Sequence, residues 1–314
     1  DFQLDQSRTH LPDQSDFLII QQIRRNFKVK IRDSIVMLLS NVALNYCLIF
    51  GKGGFPAAGI AGAAIASSVS EAVSLLFFII YTSMTADKRK YGFRRAFTLR
   101  PHLLKGMLSI SGWTMVQSFI SVSIWFIFFL AIEHLGERPL AVTNIVRNIS
   151  ALLIMVISAF ATTAGALISN QIGAGEQRCL FKTCGMTLKL TYAILIPLLI
   201  ILCLFPESVL RAFTDSPSLI AASVNSVYVM ASSTLIMAPS FILFNAVSGT
   251  GNTRAGFIME MISLAVYTAV IYYGIIRLKP DVALCWFSEH VYGVTLIFLA
   301  WWYLKSGKWR GKKV

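Results

Sequence analysis

The sequence predicts an all-α integral membrane protein, a polytopic bundle of about eight spanning helices, on three observations. Hydrophobic residues make up 56% of the 314 and charged residues only 14%, against roughly 45–50% and about 25% in a soluble domain. The apolar residues are gathered into eight runs of about 20 residues or more, the length a helix needs to cross the hydrocarbon core. The charges lie between those runs and at the two ends.

The runs fall at 34–51, 57–82, 107–132, 139–169, 186–205, 218–247, 256–276 and 282–304. The first ends on Gly51, a helix stop. The second opens on Gly59-Ile-Ala-Gly62-Ala-Ala, where small side chains let two helix backbones touch. The fourth and sixth exceed a span, which implies tilt or extension into water. Gly173 and Gly175 follow the fourth and terminate it; they are not a dinucleotide-binding turn, which needs a preceding strand. The fifth, seventh and eighth runs are ordinary span lengths.

Basic residues set the direction, because Lys and Arg are retained on the cytoplasmic side. Six lie in the N-terminal segment (Arg8, Arg24, Arg25, Lys28, Lys30, Arg32) and seven between the second and third runs (Lys88, Arg89, Lys90, Arg94, Arg95, Arg100, Lys105). The later connections on that side carry Arg178, Lys182, Lys189 and Arg254, and the tail carries Lys305, Lys308, Arg310, Lys312 and Lys313. The opposite connections hold only Lys52, Arg138, Arg211, Arg277 and Lys279. Both termini are therefore expected in the cytoplasm. The net charge of +13 reads as topology and contact with anionic lipid, and nucleic acid is not an expected partner. The organisation that follows is a polar N-terminal segment (1–33), two helices (34–82), a basic loop (83–106), six helices (107–305) and a basic tail (306–314).

Of the five cysteines, Cys47, Cys203 and Cys285 lie inside apolar runs, where a thiol packs as a small hydrophobe. Cys179 and Cys184 and the four scattered histidines form no zinc spacing. No metal and no cofactor is expected.

An ionisable group inside a span costs several kcal/mol unless it meets a partner or water, so each is a functional candidate. Glu71, Arg147, Glu260 and Glu289 are such groups, and the uncharged Asn41, Asn45, Tyr46, Gln117, Asn144, Asn148 and Asn245 accompany them. Asn144, Arg147 and Asn148 share one helix face by spacing. Arg147 is read either as neutralised by a buried Glu or as lining a cavity. His290 follows Glu289 directly, points elsewhere, and is read as a packing histidine.

The first two and last two runs share an order: basic turn, a span ending in Gly, Pro, then Ser-Glu-x-Val. The marks are Gly51, Pro56 and Ser70-Glu71-Ala72-Val73, then Gly274, Pro280 and Ser288-Glu289-His290-Val291. Such a parallel repeat fits two halves related by an axis along the membrane normal. Glu71 and Glu289 occupy corresponding places in it, so at least one of them is expected to contribute to ion coupling or to a hydrogen bond that holds a lobe together.

The stretch NVALNYCLIFGKGGFPAAGIAGAAIASSVSE at 41–71 resembles the fifth and sixth helices of the multidrug and toxic compound extrusion transporters. The likeness continues through LAVTNIVRNIS at 140–150, NQIGAGE at 170–176 and FNAVSGTGNTR at 244–254. It implies helices five to twelve of a twelve-helix, two-lobe fold around a central cavity. It also implies export of cationic or amphipathic small molecules against an inward flow of protons or sodium. Four helices would precede these eight, and the chain by itself is expected not to transport. Where several members carry a Glu in the third run, this chain has Gln117 and Ser121, so the coupling ion stays open.

The expected function is thus a cation-coupled antiporter, not an enzyme, working by alternating access as a monomer in the inner or plasma membrane. Its partners are a small-molecule substrate and membrane lipid. The pathway or ion coupling falls to the polar residues named above. A lipid-linked oligosaccharide flippase of related fold would want a more cationic cavity than Arg147 alone provides. A non-transporting receptor or scaffold would show no ion dependence, and an intramembrane enzyme would need a paired-acid or His and Asp cluster.

Overall fold

The structure is a computed structural model in which residues 14–85, 101–176, 179–307 and 309 are described. Residues 1–13, the basic tract 86–100, Gln177, Arg178, Lys308 and residues 310–314 of the tail lie outside the described residues.

The described chain is helical: α1 (Gln14–Phe50), α2 (Gly59–Thr85), α3 (Pro101–Glu133), α4 (Glu137–Gly173), α5 (Leu180–Leu204), α6 (Pro206–Arg211), α7 (Pro217–Gly249), α8 (Thr253–Val270), α9 (Val282–Cys285) and α10 (Phe287–Ser306). A wider π turn, Ile271–Arg277, continues α8, and α9 and α10 together make one span with an irregular turn at Trp286. Eight stretches are long and apolar enough to cross a membrane, as the hydropathy pattern predicts. Several boundaries differ, among them the start of α5 at Leu180, six residues before the run read at 186, and two have a plain cause. No Gly or Pro interrupts 14–50, so the helix of the first span reaches back to Gln14 through the segment read as polar. Pro101 starts α3, a position whose missing N–H costs a helix nothing, so 101–106 is helix rather than loop.

Residues 1–99 and 100–314 form two compact units. In the first, α1 and α2 pack along a narrow seam. Gly51 ends α1 at φ 66°, and Ala58 N donates to Leu48 O at 2.9 Å. A Cβ on Gly62 would lie 2.5 Å from Leu48 O, so the two backbones meet there. Further along, Asn41 Nδ2 donates to Ser70 Oγ at 3.1 Å and Asn45 Nδ2 to Asn41 Oδ1 at 2.8 Å. The seam closes with Ser74 Oγ at 2.9 and 3.0 Å from the oxygens of Asp33.

In the second unit α7 is the central helix and packs on α4, α10 and α5. α4 and α7 touch where Gly249, given a Cβ, would come 2.5 Å from Gly165 O. Pro239 inside α7 cannot donate to the carbonyl four residues back. That carbonyl, Leu235 O, accepts Tyr192 OH from α5 at 2.8 Å, so it is not orphaned where lipid would offer it no partner. Two apolar cores result. One gathers Phe128, Ile132, Val146, Ile157, Met230 and Trp286; the other gathers Ala161, Ile168, Ile242, Ala246, Leu296 and Leu304. Phe241 and Tyr292 pack against both, and the space between the cores is not filled.

Candidate functional site

That space is a pair of adjoining hollows inside the second unit. The first, of about 250 Å³, is lined by α3 (Ser121, Val122, Trp125), Ile154 of α4, α7 (Met237, Phe241), α8 (Glu260, Leu264, Tyr267) and α10 (Glu289, Tyr292). The second, of about 320 Å³, shares Ser121, Phe241, Glu260 and Tyr292 and adds Ser158, Thr162 and Asn245. Bulky rings prop the walls apart: Tyr267 and Tyr292 meet edge to face at 5.8 Å, a favoured geometry for two rings.

The polar groups converge on Glu260, which is 4% exposed. Its Oε1 accepts Tyr292 OH at 2.9 Å and lies 2.9 Å from Ser121 Oγ. Ser121 Oγ also lies 3.0 Å from Gln117 O, so its single proton serves one acceptor at a time. Glu260 Oε2 is buried without a hydrogen-bond partner. Glu289 Oε1 accepts Tyr267 OH at 2.8 Å. Each acid is thus held by a tyrosine of the neighbouring helix. A buried carboxyl with a free oxygen is unstable as an anion until a proton or cation reaches it. This arrangement can therefore bind a cation in the hollow or take up a proton from it.

The structure assembles only some of the residues singled out from sequence. Glu260 and Glu289 both line the first hollow, and Asn245 joins Glu260 in the second, its Nδ2 donating to Phe241 O at 2.9 Å. Gln117 touches the cluster only through its carbonyl. Asn41 and Asn45 are spent on the α1–α2 seam. Tyr46 is exposed on α1, beside Phe50 at 6.1 Å. Asn144 Nδ2 donates to its own helix at Leu140 O, and Asn148 is exposed.

Two expectations need correction. Arg147 has no buried acid as partner among the described residues, and it is not among the residues lining either hollow. Its guanidinium carbon instead lies 5.2 Å from the centroid of Phe129, because the face of α4 that carries it meets aromatic α3 rather than an acidic helix. The second concerns the repeat. Ser70 and Ser288 do match, each buried and each donating three residues back at 2.8 Å. Glu71 and Glu289 differ in surroundings: Glu71 is exposed on α2, whereas Glu289 accepts Tyr267 OH, so one of the two acids makes a hydrogen bond of the kind expected inside a lobe. Gly274, unlike Gly51, stops nothing and lies inside the π turn. His290 packs as read, 2.9 Å from Ser232 Oγ and stacked on Phe287 at 4.7 Å.

Sequence reasoning missed Tyr267 and Tyr292. A signal existed: Glu260 and Tyr267 are seven residues apart, as Ser121 and Trp125 are four, so each pair shares a helix face. Asp33 was also missed, because it stands at the edge of the apolar run.

Eight stretches of spanning length among the described residues, six of them in the unit that holds the acid-bearing hollow, define a multi-pass membrane protein. The chain belongs to the MatE family, the multidrug and toxic compound extrusion transporters, whose model matches residues 114–273. It is 25% identical over 243 residues to an uncharacterized transporter, YisQ, of Bacillus subtilis strain 168, covering 74% of this chain and 50% of that protein. It is 25% identical over 291 residues to a probable multidrug resistance protein, NorM, of Thermotoga maritima, covering 87% and 59%. The chain thus spans between half and three fifths of the length of these relatives. Its fold is that of an outward-facing multidrug resistance MATE transporter of the MOP superfamily (TM-score 0.75, 16% identity, 87% of this chain and 61% of that one). It is similar also to the MATE transporter ClbM in complex with Rb⁺ (TM-score 0.68, 19% identity, 90% and 62%).

Proposed function

We propose that the protein is an ion-coupled efflux transporter, exporting cationic or amphipathic small molecules by alternating access in exchange for protons or sodium. The observation that carries this is Glu260: a buried carboxyl with one unpartnered oxygen, set in a hollow walled by aromatic rings. Named multidrug resistance relatives support efflux, and a fold neighbour that holds Rb⁺ supports cation binding. In this reading Glu260 and Glu289 take the coupling ion, while Trp125, Phe241 and the two tyrosines take the apolar body of the substrate. The protein acts as a monomer in the plasma or inner membrane, with both termini in the cytoplasm and anionic lipid against its basic loops.

The test is ethidium efflux from liposomes under an imposed proton or sodium gradient. The chain is reconstituted alone and joined to the part of the Thermotoga maritima relative that it does not match. The joined form is expected to show gradient-driven efflux that falls at least about tenfold in Glu260→Gln, the loss of one transition-limiting interaction of about 1.4 kcal/mol. Efflux by the joined form that ignores both gradients, or that survives Glu260→Gln unchanged, overturns the reading.

A further inference from the structure

Two helices of the second unit break, and each break stands next to a residue that lines the first hollow. α8 gives way to the π turn at Ile271, four residues past Tyr267, and α9 gives way to α10 at Trp286, three residues before Glu289. A π turn recurs at helix kinks and at functional sites. At the second break Glu289 N reaches back only three residues, to Trp286 O at 3.2 Å, and Ser288 Oγ donates to Cys285 O at 2.8 Å. A side-chain hydroxyl stands there in place of a backbone N–H, so a rotation at Trp286 breaks few helical bonds.

Between the breaks runs a strap, residues 271–286, with bonds of its own. Asp281 Oδ1 accepts Val282 N at 2.8 Å, and Arg277 Nη2 donates to Tyr272 OH at 3.2 Å. Its buried residues, Ile271, Ile275, Val282, Cys285 and Trp286, belong to the first apolar core. Two features strain this seating. Lys279 has φ 47°, uncommon for a residue with a side chain. Trp286 is 3% exposed, yet its Nε1–H has no acceptor, and a buried unpaired donor is rare. Moving the indole off Phe128, 5.7 Å away, would let that donor find an acceptor at the membrane interface. One bond spans both breaks and opposes such a move: Tyr267 OH donates to Glu289 Oε1 at 2.8 Å.

We propose that residues 271–286 are a hinged strap that opens and closes one end of the hollow, pivoting at the π turn and at Trp286. The Tyr267–Glu289 hydrogen bond is its latch. The strap is a local gate inside the second unit. It goes beyond the efflux reading and does not depend on which ligand the hollow takes.

Two free thiols test it, Cys285 on the strap and Cys184 on α5, 1% and 5% exposed. The 314-residue chain in lipid nanodiscs is treated with N-ethylmaleimide, and labelling of each cysteine is followed by peptide mass spectrometry. Each rate is divided by that of the same thiol in the denatured chain. In the wild type Cys285 is expected to react about tenfold faster than Cys184, because local opening exposes it without unfolding the unit. Tyr267→Phe removes the latch and raises the Cys285 rate about tenfold further, the effect of one hydrogen bond to a carboxylate, with Cys184 unchanged. Tyr303→Phe removes a 2.6 Å contact with Asn252 between the start of α8 and the end of α10. That variant leaves the ratio of the two rates unchanged. Equal rates in the wild-type chain overturn the strap, and this comparison needs no variant to fold. A ratio unmoved by Tyr267→Phe, or moved as far by Tyr303→Phe, overturns the latch. Efflux that ignores both gradients would defeat the transport reading and leave these labelling results standing.

Discussion

Both units bring acids and hydroxyls together between helices, and they use them in opposite ways. In the first, Asp33 meets Ser74 and Asn41 meets Ser70 across backbones that touch at Gly62. In the second, Glu260 and Glu289 meet Ser121, Tyr292 and Tyr267 around an open space. The acids are alike; their neighbours are not. Small residues (Gly62, Ala66, Ser67, Ser70) let polar groups reach one another and consume their hydrogen-bonding capacity as glue. Rings (Trp125, Phe241, Tyr267, Tyr292) line the space between the helices, and one carboxyl oxygen of Glu260 is left buried without a hydrogen bond. At membrane depth a polar residue therefore becomes structural or functional according to the bulk beside it.

The sharpest way to break this contrast is to put bulk into both places. Ser70→Leu adds a branched side chain to a buried seam, and overpacking there is expected to destabilise the first unit by about 3 kcal/mol. Stability is read as the midpoint of a denaturant titration in detergent, and a change within measurement error would show that the seam is loose. A middle effect is expected for Tyr192→Phe, which removes the donor to Leu235 O beside Pro239. One hydrogen bond in a bundle contributes about 1 kcal/mol, so the melting temperature falls modestly, whereas an unchanged value would mean that the kink tolerates an orphan carbonyl. The smallest effect on stability belongs to Ser158→Leu, which points into the second hollow and is expected to change stability by less than about 0.5 kcal/mol. The same variant should nonetheless reduce ethidium efflux by the joined form, because it fills ligand space. If it melts like Ser70→Leu, the hollow is not open.

Much of this was legible in the residues. Span number, span positions and the packing role of Gly62 follow from apolar run length and from the steric smallness of glycine, both local properties. The motifs at 41–71, 140–150, 170–176 and 244–254 led to the family that the 114–273 match supports. Glu260 and Glu289 stood out as costly charges in apolar runs. What they would bond to did not, since Ser121 and Glu260 are 139 residues apart in the chain.

The sequence by itself determined that this is a multi-pass helical membrane protein of the MatE family with a few ionisable groups at depth, because bilayer thickness and backbone satisfaction constrain each segment alone. Only the tertiary structure decided which of those groups share a space. It sent Asn41 to a seam, left Glu71 exposed on its helix, paired Glu289 with Tyr267 and seated Arg147 on Phe129 rather than on an acid. These outcomes depend on how far apart neighbouring helices stand, and that separation is set jointly by side chains from several helices, such as Gly165 against Gly249 on one side and Trp125 with Tyr292 on another.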